Sequence, residues 1–469
     1  MLTSANATSG PAEGRFPEGF VWGAATSSYQ VEGAVAEDGR SPSCWDVFVR
    51  TPGAVHRADT GDIACDSYHR LDEDLALIQR LGLSSYRFSV SWSRVLPEGT
   101  GRGNEPGVQY YRCLVDGLVA LGVQPMLTVF HWDLPQALQE RGGWANRDCA
   151  SWFAQYAGVV AERLGNAVKD FVTLNEPAVV ANRGYRDGSH APGLRDDDQA
   201  MAATHHLLLG HGLAARRLRE ILGTSCRVGI VLDPMPVVSL DGDRAIASEV
   251  AGAKTDLFLK PILEGAYPEV RRGGIVPRPP LVRDGDMEVI ATELDFLGIN
   301  YYDPVFVRRA AATLGRGDEP LPGYPGVVCV KPDGYPRTAL GWVVDPDSFH
   351  ALLMDVHSRA PGLPIYVTEN GCACYDYVGP DGEVRDYERI SFLRSHLRAV
   401  KRAIDDGADV RGYYVWSLLD NFEWTDGYSQ RFGLVYVDFP TGARVPKSSA
   451  EFYARVIAAH GLPEGDLTA

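Results

Sequence analysis

Eight short apolar runs, rich in β-branched and aromatic residues and bounded by Gly, Pro or polar clusters, are spaced along this chain with amphipathic stretches between them. They cover residues 20–26, 85–92, 123–130, 171–175, 227–232, 294–302, 364–371 and 412–418, and each reads as a strand. The intervening stretches repeat their apolar positions at helical spacing, over residues 68–81, 108–121, 150–164, 199–222, 247–263, 347–359 and 389–405. In the first of these Leu71, Leu75, Ile78 and Leu81 share a face, and Gly82 supplies the stop. The alternation predicts an α/β fold, a single (β/α)8 TIM barrel with parallel strands. A Pro/Arg-rich loop follows residue 263. Residues 309–337, rich in Gly and Pro, suit neither element and are expected as one long loop over the face that carries the chemistry.

No composition break or internal repeat interrupts the pattern, so residues 16–460 are expected as one barrel domain, preceded by a disordered or extended tail over 1–15. The hydrophobic share of 45% is enough for a large core, and a net charge of -16 argues against nucleic acid or an anionic membrane as partner. No apolar run reaches the ~18 residues of a membrane span, and the tail has neither the basic nor the apolar region of a secretory leader. The sequon at Asn6-Ala7-Thr8 therefore reads as chance. Of the eight cysteines only Cys372 and Cys374 are close, at a spacing that fits neither a zinc knuckle nor a redox Cys-x-x-Cys. They read as reduced thiols of a cytoplasmic protein. His205, His206 and His211 lie on one helix without a metal-binding Glu beside them and read as packing. Gly99-Thr100-Gly101-Arg102-Gly103 is not set between a strand and a helix and reads as a loop, so neither a metal nor a nucleotide cofactor is implied.

Two of the runs end alike. Residues 364–371 deliver Glu369 in Thr-Glu-Asn-Gly, and residues 171–177 deliver Glu176 in Thr-Leu-Asn-Glu-Pro, where Pro177 ends the strand. A parallel barrel keeps its chemistry at the C-terminal strand ends, and the fourth and seventh strands lie roughly across it from one another. A lone acid at such a position is more often a surface group or a structural ion pair. Two in matching contexts are what glycoside hydrolysis requires, with Glu369 as nucleophile and Glu176 as acid and then base. The roles need unequal proton affinities. Arg87, at the end of the second strand, is the candidate cation beside Glu369, and Tyr302 is a candidate donor to the same carboxylate.

Seven segments, these two among them, occur in a telling order: Phe20-Val21-Trp22-Gly23-Ala24-Ala25-Thr26 with Tyr29-Gln30-Val31-Glu32-Gly33, Tyr86-Arg87-Phe88-Ser89, His131-Trp132-Asp133-Leu134-Pro135, Thr173 to Pro177, Asn300-Tyr301-Tyr302, Thr368 to Gly371, and Trp416 to Trp424. With them the sequence resembles the family 1 glycoside hydrolases, the β-glycosidases, over most of its length. The resemblance implies Glu176 as acid/base and Glu369 as nucleophile, supported by Arg87, Tyr302 and Asn300. It implies Gln30, His131, Trp132, Asn175, Trp416, Glu423 and Trp424 as the groups that bind the sugar. Amide and carboxylate side chains suit paired hydroxyls, and an indole suits the apolar face of a sugar ring. Relatives that cleave 6-phosphoglycosides carry a Ser and nearby cations where this chain has Glu423-Trp424, so an unphosphorylated β-glucoside is the expected small-molecule substrate. Ala178 stands where many relatives have Trp and is expected to open the leaving-group side, with Trp342 stacking there. The expected activity is a retaining, cofactor-free β-glucosidase. The alternatives are a β-galactosidase, β-fucosidase or transglycosidase using the same site, a sugar-binding barrel without catalysis, or an unrelated metal-dependent barrel enzyme.

Overall fold

The computed structural model describes residues 14–269, 276–311, 314–315 and 317–462. The tail expected over 1–15 lies outside these except for Gly14 and Arg15, the latter bridged to Gly461. The Asn6 sequon and part of the Pro/Arg-rich loop lie outside them too.

The first five barrel strands are β1 (Val21–Ala25), β2 (Ser85–Ser89), β3 (Gln124–Phe130), β4 (Asp170–Asn175) and β5 (Arg227–Leu232). A short outer strand, β6 (Val237–Ser239), precedes the sixth, β7 (Phe296–Tyr301). After β8 (Val305–Arg309), β9 (Asp318–Pro320) and β10 (Val327–Val330), the chain returns to the barrel as β11 (Ile365–Asn370) and β12 (Val410–Trp416). The eight close in the order β1-β2-β3-β4-β5-β7-β11-β12, and the single parallel barrel expected from the alternation is the observed fold.

These strands read as near-continuous apolar runs because both of their faces are buried. Every residue of β11 is buried. Ala25, Met126, Val172, Val231, Phe296, Tyr366 and Tyr414 form a cluster to which seven of the strands contribute, and it fills the barrel. The helices cover the outside, as the long helix Asp197–Leu222 does with Leu207, Leu208 and Leu218. Its three histidines are packed as expected: His205 bonds Asp286, His206 the Trp144 carbonyl and His211 the Thr173 hydroxyl. Gly82 ends the helix Leu71–Leu81 in the left-handed conformation (φ 70°) that a Cβ disfavours. Gly371, after β11, is needed for a different reason, since a Cβ there would lie 1.8 Å from the Trp416 carbonyl oxygen.

The structure corrects the chain reading in two places. The run at 85–92 is a strand only to Ser89, after which Trp92–Val95 turns helical. The segment 309–337 is not one loop: β10 pairs antiparallel with β8 and β9, and β6 joins β8, giving a four-stranded sheet over a small core of Ile246, Val250, Val307, Leu321, Tyr324 and Val327. Its strands are too short to stand out from the surrounding Gly and Pro, and they exist by pairing across the chain. The last segment holds a hairpin, β13 (Val435–Asp438) with β14 (Ala443–Pro446), and a closing helix, Ser448–Ala459.

Candidate active site

Both strands that present a carboxylate lose their register just before it. Beside β7, β11 shifts between Val367 and Glu369, and beside β5, β4 shifts between Val172 and Asn175. Such irregularities re-aim a side chain. Glu176 then takes a left-handed backbone (φ 48°) as Pro177 opens the next helical turn. Trp132 (φ 81°) and Trp424 (φ 49°) are held likewise. Three non-glycine residues in this region, at roughly 1–3 kcal/mol each, all line one cavity of about 360 Å³ at the C-terminal ends of the strands.

Glu176 and Glu369 both open onto that cavity. Arg87 reaches across from β2: its Nη1 donates to Glu369 Oε1 at 2.7 Å and its Nη2 to Asn175 Oδ1 at 2.6 Å. The Tyr302 hydroxyl donates to Glu369 Oε2 at 2.7 Å. The candidate cation and donor are thus where the sequence reading set them. Asn300 differs in part. Expected as a support of Glu369, its Nδ2 donates to Glu176 Oε1 at 2.6 Å and to Asn175 Oδ1 at 3.2 Å, and it also favours the charged form of Glu369.

The two carboxyls differ electrostatically. Burial pushes Glu369 up, and Arg87, Tyr302 and Asn300 pull it back. For Glu176 the negative charges of Asp233 and Glu369 add to burial, against the Asn300 bond and the field of Arg87, and hold it well above the usual carboxyl range. In this arrangement Glu176 is the group that keeps a proton.

Asp233 was missed by the sequence reading. It lines the cavity after β5, and burial pushes it up to about 7. A signal was present, because Leu232-Asp233-Pro234 repeats the pattern of a strand, a carboxylate and a proline seen at Asn175-Glu176-Pro177.

His131, Trp132, Trp416, Glu423 and Trp424 form another part of the wall. The His131 ring stacks on those of Trp416 (5.7 Å) and Trp424 (6.1 Å). Burial and Arg87 keep His131 neutral, and its Nδ1 has no protein partner. Gln30 and Asn175 are fully buried and stand behind the wall. Gln30 donates to Asn421, to the Phe422 carbonyl and, at 3.4 Å, to Glu423 Oε2.

Burial, Asp426 and Glu369 push Glu423 up to about 8, so it holds a proton near neutral pH. The expected exclusion of a 6-phosphate thus has a different basis. It rests less on the charge of Glu423 than on its surroundings, where Asp426 and Glu369 are the charges that act on it most.

The outer part of the wall carries Val179, Arg183, Asp303, Lys331, Leu340 and Trp342. Trp342 packs on Tyr302 (5.4 Å) and Phe432 (5.9 Å). Ala178 is a correction: it packs against the main core, and Val179 faces the cavity instead.

The profile described as glycosyl hydrolase family 1 matches residues 12–462. Beta-glucosidase A of Thermotoga maritima is 43% identical over 454 residues, 96% of this chain and 99% of that one. The bifunctional beta-D-glucosidase/beta-D-fucosidase of Bifidobacterium breve is 42% identical over 459 residues, 95% and 98% of the two chains. Among solved structures, the beta-glucosidase from Thermotoga maritima in complex with deoxynojirimycin superposes with a TM-score of 0.89, at 43% identity over 96% of this chain and all of that one.

Proposed function

The chain belongs to glycosyl hydrolase family 1, and from that premise we propose that it is a retaining β-glucosidase. The observation that carries this reading is the unequal setting of Glu369 and Glu176 around one cavity. Glu369 attacks the anomeric carbon while Glu176 gives its proton to the leaving oxygen. The bond to the aglycone breaks and a covalent glycosyl-enzyme forms. Glu176 then takes a proton from water, whose oxygen displaces Glu369, and glucose leaves with its original configuration.

Retention requires carboxyls about 5–5.5 Å apart. Glu176 and Glu369 open onto one cavity near enough for the charge of Glu369 to raise Glu176, which supports that spacing. The unpartnered His131 Nδ1, the Gln30–Glu423 pair and the indoles of Trp416 and Trp424 suit a glucosyl ring and its hydroxyls. Trp342 and Val179 then face the aglycone. Cleavage of β-fucosides by the same site is the second reading, favoured by the bifunctional relative. Cytoplasmic operation is part of the proposal, supported by eight cysteines that are all free.

The test is hydrolysis of an aryl β-glucoside by Glu369→Ala and Glu176→Ala with azide added. Glu369→Ala is expected to be inactive until azide restores turnover to the α-glucosyl azide, and Glu176→Ala to yield the β-azide. Near wild-type rates in both variants would sink the assignment.

A further inference from the structure

The loop leaving β11 carries two thiols that the chemistry above does not use. Cys372 Sγ and Cys374 Sγ are 3.7 Å apart. Residues this close in sequence can be joined only if the chain bends both side chains to one side, and here the backbone is pinned in that form. The Cys374 N–H donates to the Arg431 carbonyl at 3.1 Å, and the Ala373 carbonyl accepts the Ala339 N–H at 3.0 Å. The two thiols are unequally placed. Cys372 is buried, whereas Cys374 is partly exposed beside Tyr375, itself 81% exposed. The Cys372 hydrogen bond, with help from Arg389 and Lys447, holds the Cys374 thiol below its ordinary value, and burial pushes Cys372 up.

We propose that Cys372 and Cys374 are an oxidisable dithiol, a modification site beside the cleft that closes to a disulfide under hydrogen peroxide. The Cys374 thiolate attacks one peroxide oxygen. The O–O bond breaks, water leaves after protonation, and Cys374 becomes a sulfenic acid. The Cys372 sulfur then attacks the Cys374 sulfur, the S–O bond breaks, and the departing hydroxide takes the Cys372 proton as a second water. One peroxide is reduced by the electron pair the two thiols give up. Closure draws the sulfurs from 3.7 Å to about 2.05 Å and tightens the turn. Ala373, between them, packs with Trp416 and Phe432 and is tied through Ala339 to the loop bearing Trp342, so the change reaches the leaving-group side of the cleft.

The full-length protein is treated with hydrogen peroxide, quenched, unfolded and alkylated, and its peptides are weighed. The peptide holding both residues is expected to escape alkylation and weigh two hydrogens less, until dithiothreitol restores both thiols; the exposed Cys113 serves as the alkylation reference. Cys372→Ser should stop at a sulfenic acid on Cys374 that dimedone traps, and Cys374→Ser should form no crosslink. KM for an aryl β-glucoside is expected to rise several-fold in oxidised wild type and to stay unchanged in peroxide-treated Cys374→Ser. Full alkylation after peroxide, or a sulfinic acid at Cys374 without crosslink, overturns the site. A crosslink with unchanged KM overturns its link to the cleft. The thiol readout needs no glucoside turnover, so it fails or succeeds independently of the proposed activity.

Discussion

Replacing Tyr302 by Phe removes one oxygen and little else. The ring keeps its packing on Trp342 at 5.4 Å and Phe432 at 6.1 Å, and Glu369 Oε1 keeps Arg87 at 2.7 Å. What is lost is the 2.7 Å donation to Glu369 Oε2, a hydrogen bond to a carboxylate that is 3% exposed. A hydrogen bond to a charged group contributes about 1.5–3 kcal/mol. That bond favours the ionised form of Glu369, so losing it raises the carboxyl pKa, by roughly one to two units at about 1.36 kcal/mol per unit. Attack requires the ionised form. The acidic limb of kcat/KM, which reports the free enzyme, should therefore move to higher pH by that amount. Below the limb the variant should run about 10- to 100-fold slower than wild type at equal pH. The alkaline limb, set by the proton on Glu176, should shift far less. The assay is kcat/KM for an aryl β-glucoside across pH, with thermal unfolding as a control for folding. An acidic limb unmoved within about 0.3 unit, in a folded variant, would show that Tyr302 does not hold the charge of Glu369.

Asp233→Asn removes a negative charge that raises Glu176, so the Glu176 pKa should fall and the alkaline limb of kcat/KM should move to lower pH, while the acidic limb holds; a pH profile with an unmoved alkaline limb would show that Asp233 leaves the acid untouched. Lys447 is fully buried with Nζ at 2.6 Å from both Asp376 and Asp420, which Arg389 and Arg431 also bind. Lys447→Met leaves two buried carboxylates short of a partner and should cost about 3–5 kcal/mol, read as a lowered urea midpoint; an unchanged midpoint would show that the two arginines suffice.

The barrel was legible because its information is local. Strands buried on both faces must be apolar along their length, helices must repeat every third or fourth residue, and both signals survive in a linear string. The two acids were legible for the same reason, since Thr-Glu-Asn-Gly and Thr-Leu-Asn-Glu-Pro each couple a strand's end to a carboxylate within a few residues. Asp233-Pro234 has the same local form but lacks the Asn that precedes Glu176 and follows Glu369.

The rest depended on which distant residues meet. Arg87 and Glu369 are 282 positions apart, and only strand order and register bring them to 2.7 Å. The sheet of β6, β8, β9 and β10 is invisible from within its own short strands, whose backbone groups find partners only across the fold. Whether Ala178 or Val179 faces the cavity is decided by the turn that follows the left-handed Glu176. The proton on Glu423 is set by burial beside Asp426 and Glu369, and the approach of Cys372 to Cys374 by a bend pinned from Arg431 and Ala339. Sequence pattern determined which segments are buried and which acids stand at strand ends, because burial leaves a periodic mark. Tertiary structure alone decided proton affinities and contacts, because those depend on distances between groups that the chain order does not encode.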